Sequence, residues 1–133
     1  MSNKSLRILI ADAQHFNRLR IERLFNLLGY FRVAPVHSLE ELLRLVEYGS
    51  QPLDLVVVNG ALAGGSVNLR CFFADNVQVR QAFIFNAQQS TSSGVGGKVQ
   101  VSQTVLPDLV AISQLISAVD QRLPFVGTVI SVR

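Results

Sequence analysis

The sequence predicts a three-layer α/β domain with a flavodoxin-like fold and a five-stranded parallel sheet. Short apolar segments alternate five times with amphipathic ones, and the connections between them are short. That order favours a parallel sheet covered on both faces by right-handed crossover helices. The chain has 133 residues, of which 49% are hydrophobic and 16% charged, a composition that suits one packed core rather than a disordered chain.

The first strand and helix are the most clearly patterned. Residues 7–11 form a continuous apolar run that ends at Asp12, which is typical of a strand buried on both faces. Apolar residues then recur at i, i+3, i+4 and i+7 with arginines between them: Ile21, Leu24, Phe25 and Leu28. This spacing predicts an amphipathic helix, and Gly29 is its predicted C-terminal cap.

The next strand is predicted over residues 31–36. Ser38 and Glu41 have the spacing of a capping box, in which each side chain satisfies a free N–H group at a helix start. The helix that follows is predicted to end at Gly49. Residues 53–58 include three consecutive valines and are predicted as the central parallel strand.

The second half of the chain is less regular. Residues 60–65 are predicted as a loop, and residues 69–73 as a weakly patterned helix. Residues 82–85 form the predicted fourth strand. Val99 and Val101 alternate with polar residues and predict a fifth strand, with Val105 as an optional further member, and the apolar spacing over 109–119 predicts the last helix.

Residues 88–97 interrupt the pattern, because they are rich in Ser, Gly and Gln and lack helical periodicity. A glycine costs about 1 kcal/mol relative to alanine in a helix. We therefore predict that the fourth crossover helix is absent, shortened or disordered, with Gly94, Gly96 and Lys98 on a remodelled interaction surface. A P-loop is excluded here, since Ser92 and Val99 stand where that motif requires Gly and Ser or Thr.

Residues 1–122 are predicted as the domain and residues 123–133 as a tail. Alternate residues of the tail are apolar or Thr, and they would share one side of an extended chain. The tail is either a linker or a strand that adds to a sheet edge. We expect homodimer formation through this tail, with Val126 and Ile130 in contact, or through the remodelled surface.

Charge and cysteine content exclude several classes of protein. The net charge is +3 and the pI about 9.6, but Lys is scarce and no basic stretch alternates with aromatic residues. We interpret Arg18, Arg20 and Arg23 as a solvated helix face, so a nucleic-acid partner is not expected. The single cysteine, Cys71, cannot form an internal disulfide and is predicted to be buried.

The chain shows no apolar signal region and no apolar run near the ~20 residues of a membrane span. We therefore expect a cytoplasmic protein without membrane association.

Ligands of such folds bind beyond the carboxyl ends of the strands. The residues at those positions are Asp12-Ala13, Asn59-Gly60, Asn86-Ala87 and Leu106-Pro107. Asp12 and Asn59 are expected to hydrogen-bond across the top of the sheet rather than bind a ligand, with Asn86 in the same network or capping a helix. His15 is expected at the surface. Gly60 offers little steric hindrance to attack of the backbone on the side-chain amide of Asn59. Slow deamidation of Asn59 is therefore a further hypothesis.

These residues and the strand order resemble the response-regulator receiver domain over about residues 6–122. Four regions carry the resemblance: residues 8–12, residues 54–59 with Gly64, residues 83–87, and Leu106-Pro107. The resemblance implies a phosphoacceptor site at the strand ends. Most of its residues are replaced here. Ala13 stands for the second acidic residue, Asn59 for the phosphoacceptor Asp, Asn86 for the hydroxyl residue and Leu106 for the lysine, so Asp12 alone is kept.

The replacements remove the chemistry of phosphoryl transfer, which needs an anionic nucleophile and a metal that neutralises charge on the phosphate. We therefore expect no metal, no cofactor and no enzymatic activity. The expected function is a phosphorylation-independent interaction module that binds a protein partner in a bacterial-type signalling pathway. The alternative is a small-molecule sensor with a pocket at the strand ends, lined by Asn59 and Asn86.

Overall fold

The computed structural model describes residues 5–64, 68–87 and 98–121, with side chains described up to residue 119. Five strands in these ranges form one parallel sheet in the order β2-β1-β3-β4-β5. The strands are β1 (Ile8–Ala11), β2 (Val33–Val36), β3 (Leu55–Asn59), β4 (Ala82–Phe85) and β5 (Val99–Val101). The helices are α1 (His15–Leu27), α2 (Leu39–Tyr48), α3 (Leu69–Asp75) and α4 (Leu109–Gln121), with a 3₁₀ turn at Gly60–Leu62. The predicted fold class is confirmed, and the strand order is the flavodoxin-like one.

The sheet is buried on both faces, and successive residues of each strand point to opposite helix layers. On β1, Leu9 and Ala11 pack with α2 and α3, whereas Ile8 and Ile10 pack with α1 and α4. The side chains of β3 alternate between the same two helix layers. This two-sided burial explains why the strands are continuous apolar runs rather than alternating ones.

The C-terminus of α1 is capped at Gly29, as predicted. Gly29 has φ +94° and follows the last helical turn. Its N–H donates to the carbonyl of Asn26, and the N–H of Tyr30 donates to that of Phe25, both at 2.9 Å. These are the paired bonds of a Schellman motif, which favours glycine because of its left-handed backbone. Tyr30 is buried directly beyond the turn and anchors the entry into β2.

The start of α2 also follows the prediction in part. The Ser38 hydroxyl accepts from the N–H of Glu41 at 3.2 Å. The Glu41 carboxylate lies 3.2 Å from His37 Nδ1.

Several element boundaries differ from those predicted. β2 begins at Val33 rather than at residue 31, and β3 begins at Leu55 rather than at residue 53. The Asp54 carboxylate accepts from the N–H of Arg7 at 2.8 Å, and Leu53 forms only an isolated parallel bridge with Val79, so the continuous ladder starts at Leu55. The predicted loop at 60–65 begins with a 3₁₀ turn, because the Asn59 side chain accepts from the N–H of Ala61.

The prediction that Cys71 is buried is wrong, since this side chain is exposed. Leu69 and Phe73, four residues apart, form the core face of α3. A residue midway between them lies on the opposite side of the helix.

Predictions for residues 88–97, including Gly94 and Gly96, lie outside the described residues, as do those for the tail with Val126 and Ile130. Within the described ranges, no helix has the length and apolar character needed to cross a membrane.

Gly60 lies where the chain leaving β3 passes close to the end of β4. A β-carbon at this position would lie 3.2 Å from both the Ala87 Cα and the Phe85 carbonyl oxygen, and 3.3 Å from the Ile84 Cγ2 atom. Two of these three neighbours are backbone atoms, so a β-carbon at this position would force the neighbouring backbone to shift by a few tenths of an ångström.

We expect Gly60→Ala to lower the free energy of unfolding by about 1–3 kcal/mol, the usual range for overpacking a tight site. Urea denaturation would measure the change. Ala61→Ser at the neighbouring exposed position is the control and should change stability by less than about 0.5 kcal/mol. Equal stability of the Gly60→Ala variant and the wild type would contradict the close contact.

Candidate functional site

Three polar side chains meet at the carboxyl edge of the sheet. Asp12 follows β1, Asn59 is the last residue of β3, and Asn86 follows β4. Because β1, β3 and β4 are adjacent and parallel, their ends bring these residues side by side. The sequence-based prediction that they form one network is confirmed by the hydrogen bonds between them.

Asp12 is the buried centre of this network, with 1% of its surface exposed. Its Oδ2 accepts from Asn59 Nδ2 at 2.9 Å and from Asn17 Nδ2 at 3.0 Å. Its Oδ1 accepts from the N–H of Gln14 at 2.8 Å. Three donors thus replace the water that a buried carboxylate loses.

Asn59 uses both ends of its amide. Oδ1 accepts from the N–H of Ala61 at 2.8 Å and from Asn86 Nδ2 at 3.1 Å, while Nδ2 donates to Asp12. An N–H group on one side and a carboxylate on the other determine the orientation of the amide. The hypothesis of Asn59 deamidation stays a prediction, and the bonds at both ends oppose the rotation that attack by the backbone would need.

Asn86 connects the network to the last strand. Its φ is +55°, and in the described ranges it is the sole non-glycine residue with a positive φ. Its N–H donates to the carbonyl of Thr104 at 2.6 Å, and the next N–H, of Ala87, donates to that of Ser102 at 3.0 Å. Asparagine tolerates the left-handed region better than most residues. The residue therefore turns the backbone towards the segment after β5 while its side chain reaches Asn59.

Two residues of the site were missed by sequence reasoning. Asn17 donates to Asp12, and the Arg18 guanidinium donates to the main-chain carbonyl of Asp12 at 2.7 Å. The interpretation of all three α1 arginines as a solvated face is therefore wrong for Arg18, whereas Arg20 and Arg23 are exposed as predicted. The available signal was positional, because the first turn of a helix that follows β1 must pass over the end of that strand.

The remaining predicted residues are not part of the network. Ala13 is exposed, as is His15 at the start of α1, where the surface was predicted. Leu106 is half-buried and packs against the core between α1 and α4. Lys98 precedes β5 and therefore lies at the opposite edge of the sheet, where its Nζ donates to the carbonyl of Asn76 at 2.6 Å. Burial lowers the pKa of Lys98, and the nearby Asp75 carboxylate partly opposes this shift.

The network offers little to a metal ion. Among the described residues, no three His, Cys, Asp or Glu side chains lie together in a group that could hold one. The carboxylate of Asp12 already accepts three hydrogen bonds, and Asn59 presents its N–H₂ group to Asp12 rather than its oxygen. A divalent ion would have to displace these donors to gain a single charged ligand.

A groove of about 430 Å³ lies on the flank of the domain between α1 and the start of α4. We call it the α1–α4 groove. Its apolar lining consists of Phe16, Leu19, Leu24, Leu106, Pro107 and Leu109. Asn59 and Asn86 do not line it, so it is not the strand-end pocket expected for a small-molecule sensor.

Neither a protein-family model, nor a curated protein, nor a solved structure matches this chain. The resemblance to receiver domains therefore rests on the fold and on the residues at the strand ends.

We expect Asn59→Asp to lower the free energy of unfolding by about 1–3 kcal/mol at neutral pH, because it replaces a donor to Asp12 by a second carboxylate. Repulsion raises the pKa of the introduced carboxyl above its value in the unfolded chain. The folded state then binds more protons, so the loss of stability should grow as the pH rises from about 4 to 7 and shrink on acidification.

Urea denaturation of the variant and the wild type across this pH range would measure the difference. Asn68→Asp is the matched control, because Asn68 caps α3 by accepting from the N–H of Cys71 and an Asp can do the same. A loss of stability that is independent of pH would contradict repulsion between the two carboxylates.

Asn86→Ala should destabilise the protein by about 1 kcal/mol more than Asn86→Gly, since both remove the amide but only alanine has a β-carbon to strain at positive φ. Thermal or urea denaturation would rank the two variants. At Asn76, where φ is −102°, the same pair should show the glycine variant as the less stable one. If the Ala variant were the less stable one at both positions, the difference at Asn86 could not be attributed to its backbone conformation.

Proposed function

We propose that this chain is a phosphorylation-independent interaction module that binds a protein partner in a signalling pathway, built on a receiver-like domain. The observation that carries this function is the bond from Asn59 Nδ2 to Asp12 Oδ2. At the position that resembles a phosphoacceptor, an amide donates to the one remaining carboxylate. An amide is not an anionic nucleophile, and a donor at this place repels a cation.

The surroundings of the network support the same function. Neutral residues, Ala13, Asn86 and Leu106, occupy the other positions where the receiver resemblance implies charged or hydroxyl groups. Lys98 is held at the far edge of the sheet by the Asn76 carbonyl and is therefore not available to pair with a phosphoryl group at Asn59. The strand ends thus carry a hydrogen-bonded network in place of a site whose charge changes on phosphorylation.

A conformation that does not depend on phosphorylation suits a surface that is always ready to bind. A binding partner gains affinity when the surface is already in its bound form, because less conformational freedom is lost on association. Within this function we place the module in the cytoplasm, and the exposed Arg20 and Arg23 serve a protein partner rather than nucleic acid.

Incubation with Mg²⁺ and acetyl phosphate, or with beryllium fluoride, tests this function. We expect no added mass and no saturable change in the NMR spectrum of the wild type. In the matched variant Ala13→Asp/Asn59→Asp, two carboxylates join Asp12, and Mg²⁺ should shift the amide resonances around residues 12, 13 and 59. Covalent phosphate on the wild type, or saturable binding of the beryllium fluoride mimic by it, would contradict the proposed function.

A further inference from the structure

The α1–α4 groove combines an apolar lining with unpaired positive charge at its rim. Phe16 remains 64% exposed and Leu109 41% exposed, although both are large apolar side chains. Arg20 and Arg23 line the same groove and are exposed. Neither guanidinium forms an ion pair or hydrogen bond with any residue in the described ranges.

Among the described residues that line the groove, the one acidic residue already caps a helix. Asp108 Oδ1 accepts from the N–H of Ala111 at 2.9 Å and so caps the start of α4. This carboxylate forms no ion pair with either arginine, so two positive groups stand against one negative group among the described lining residues. The potential at the rim of the groove is left positive, and an occupant that complements it must carry negative charge next to apolar side chains.

The dimensions of the groove indicate the form of that occupant. The α1 residues that line it run from Phe16 to Leu24, a length of about 12 Å along the helix. Apolar anchors at positions i, i+3 or i+4, and i+7 of a docked helix span nearly the same length, about 10 Å. Two turns of an amphipathic helix thus have nearly the same length as the lined part of α1.

We propose that the α1–α4 groove binds an amphipathic helix of a protein partner, with two turns of apolar anchors in the groove and acidic side chains paired with Arg20 and Arg23. This assignment rests on the proposed function and names the surface and the chemistry of its partner. Residues 122–133 of this chain contain two arginines and no acidic residue, so their charge does not complement the groove.

The test uses two fluorescent peptides of about 16 residues, with the same leucines at i, i+3 and i+7 but with either Glu or Lys on the flanking positions. Fluorescence anisotropy with the wild-type chain should show the Glu peptide binding at least about tenfold more tightly than the Lys peptide. Arg20→Glu/Arg23→Glu should reverse this preference. Both arginines are exposed, and circular dichroism would verify that the variant is folded.

Arg32→Glu/Arg44→Glu is the matched control, because it changes the net charge equally at exposed positions outside the groove. It should keep the preference of the wild type. Amide shifts caused by the Glu peptide should map to α1 and to residues 106–109. The assignment would be overturned if neither peptide bound at about 1 mM. It would also be overturned if the control lost the preference for the Glu peptide equally, or if the amide shifts mapped elsewhere on the chain.

Two further measurements separate the alternatives. Light scattering should give the same mass for the wild type and for Arg20→Glu/Arg23→Glu. A lower mass for the variant would assign the groove to a second copy of this chain and overturn the proposal. The affinity of the chain for the Glu peptide should be the same with and without Mg²⁺ and beryllium fluoride. A change in affinity would overturn only the phosphorylation independence of the proposed function. Failure of the groove assignment and failure of the proposed function are therefore distinguishable.

Discussion

The burial of Asp12 is the constraint on which the carboxyl edge of this sheet depends. A carboxylate with 1% of its surface exposed must find donors inside the protein, and here they come from a helix turn, from the backbone before that helix and from a neighbouring strand. Removal of one donor from a buried charged group costs several kcal/mol, whereas each bond contributes less when it is made. The network is therefore stable as a unit and sensitive to any single change.

The amide of Asn59 resolves the conflict between burial and charge at this edge. A second carboxylate beside Asp12 would repel it and would need a cation to balance the pair. The amide offers a donor to Asp12 and an acceptor to Ala61 and Asn86, so it joins three segments without a net charge. The hydrogen bonds of this edge are thus satisfied without a metal ion or a modification.

The α1–α4 groove shares helix α1 with this edge of the sheet. α1 supplies Asn17 and Arg18 to the network and, on a different side, the apolar and basic lining of the groove. The Schellman motif at Gly29 holds the far end of the same helix. A helix held at both ends presents its exposed side chains in a constant arrangement, which is the property that a preorganised binding surface requires.

Much of this molecule could be predicted from local patterns. Apolar runs such as residues 8–11 and 82–85 are typical of strands buried on both faces, and the cap at Gly29 follows from the left-handed backbone that a helix end favours. The meeting of Asp12, Asn59 and Asn86 also follows, because parallel strands bring their carboxyl ends to one edge. Local patterns failed where the competing effect came from elsewhere in the chain, as at Asp54, whose side chain takes the N–H of Arg7.

The sequence by itself determined the fold class, the strands and the identity of the residues at the strand ends, since these depend on periodicity and order along the chain. Only the tertiary structure decided which side chains complete the network and which remain free. Asn17 and Arg18 turn towards Asp12, while Arg20 and Arg23, two and five residues beyond Arg18, lie at the rim of the α1–α4 groove. The physical reason is that the rotation of α1 about its axis is set by the packing of Ile21 and Phe25 against the sheet, a contact between residues distant in sequence.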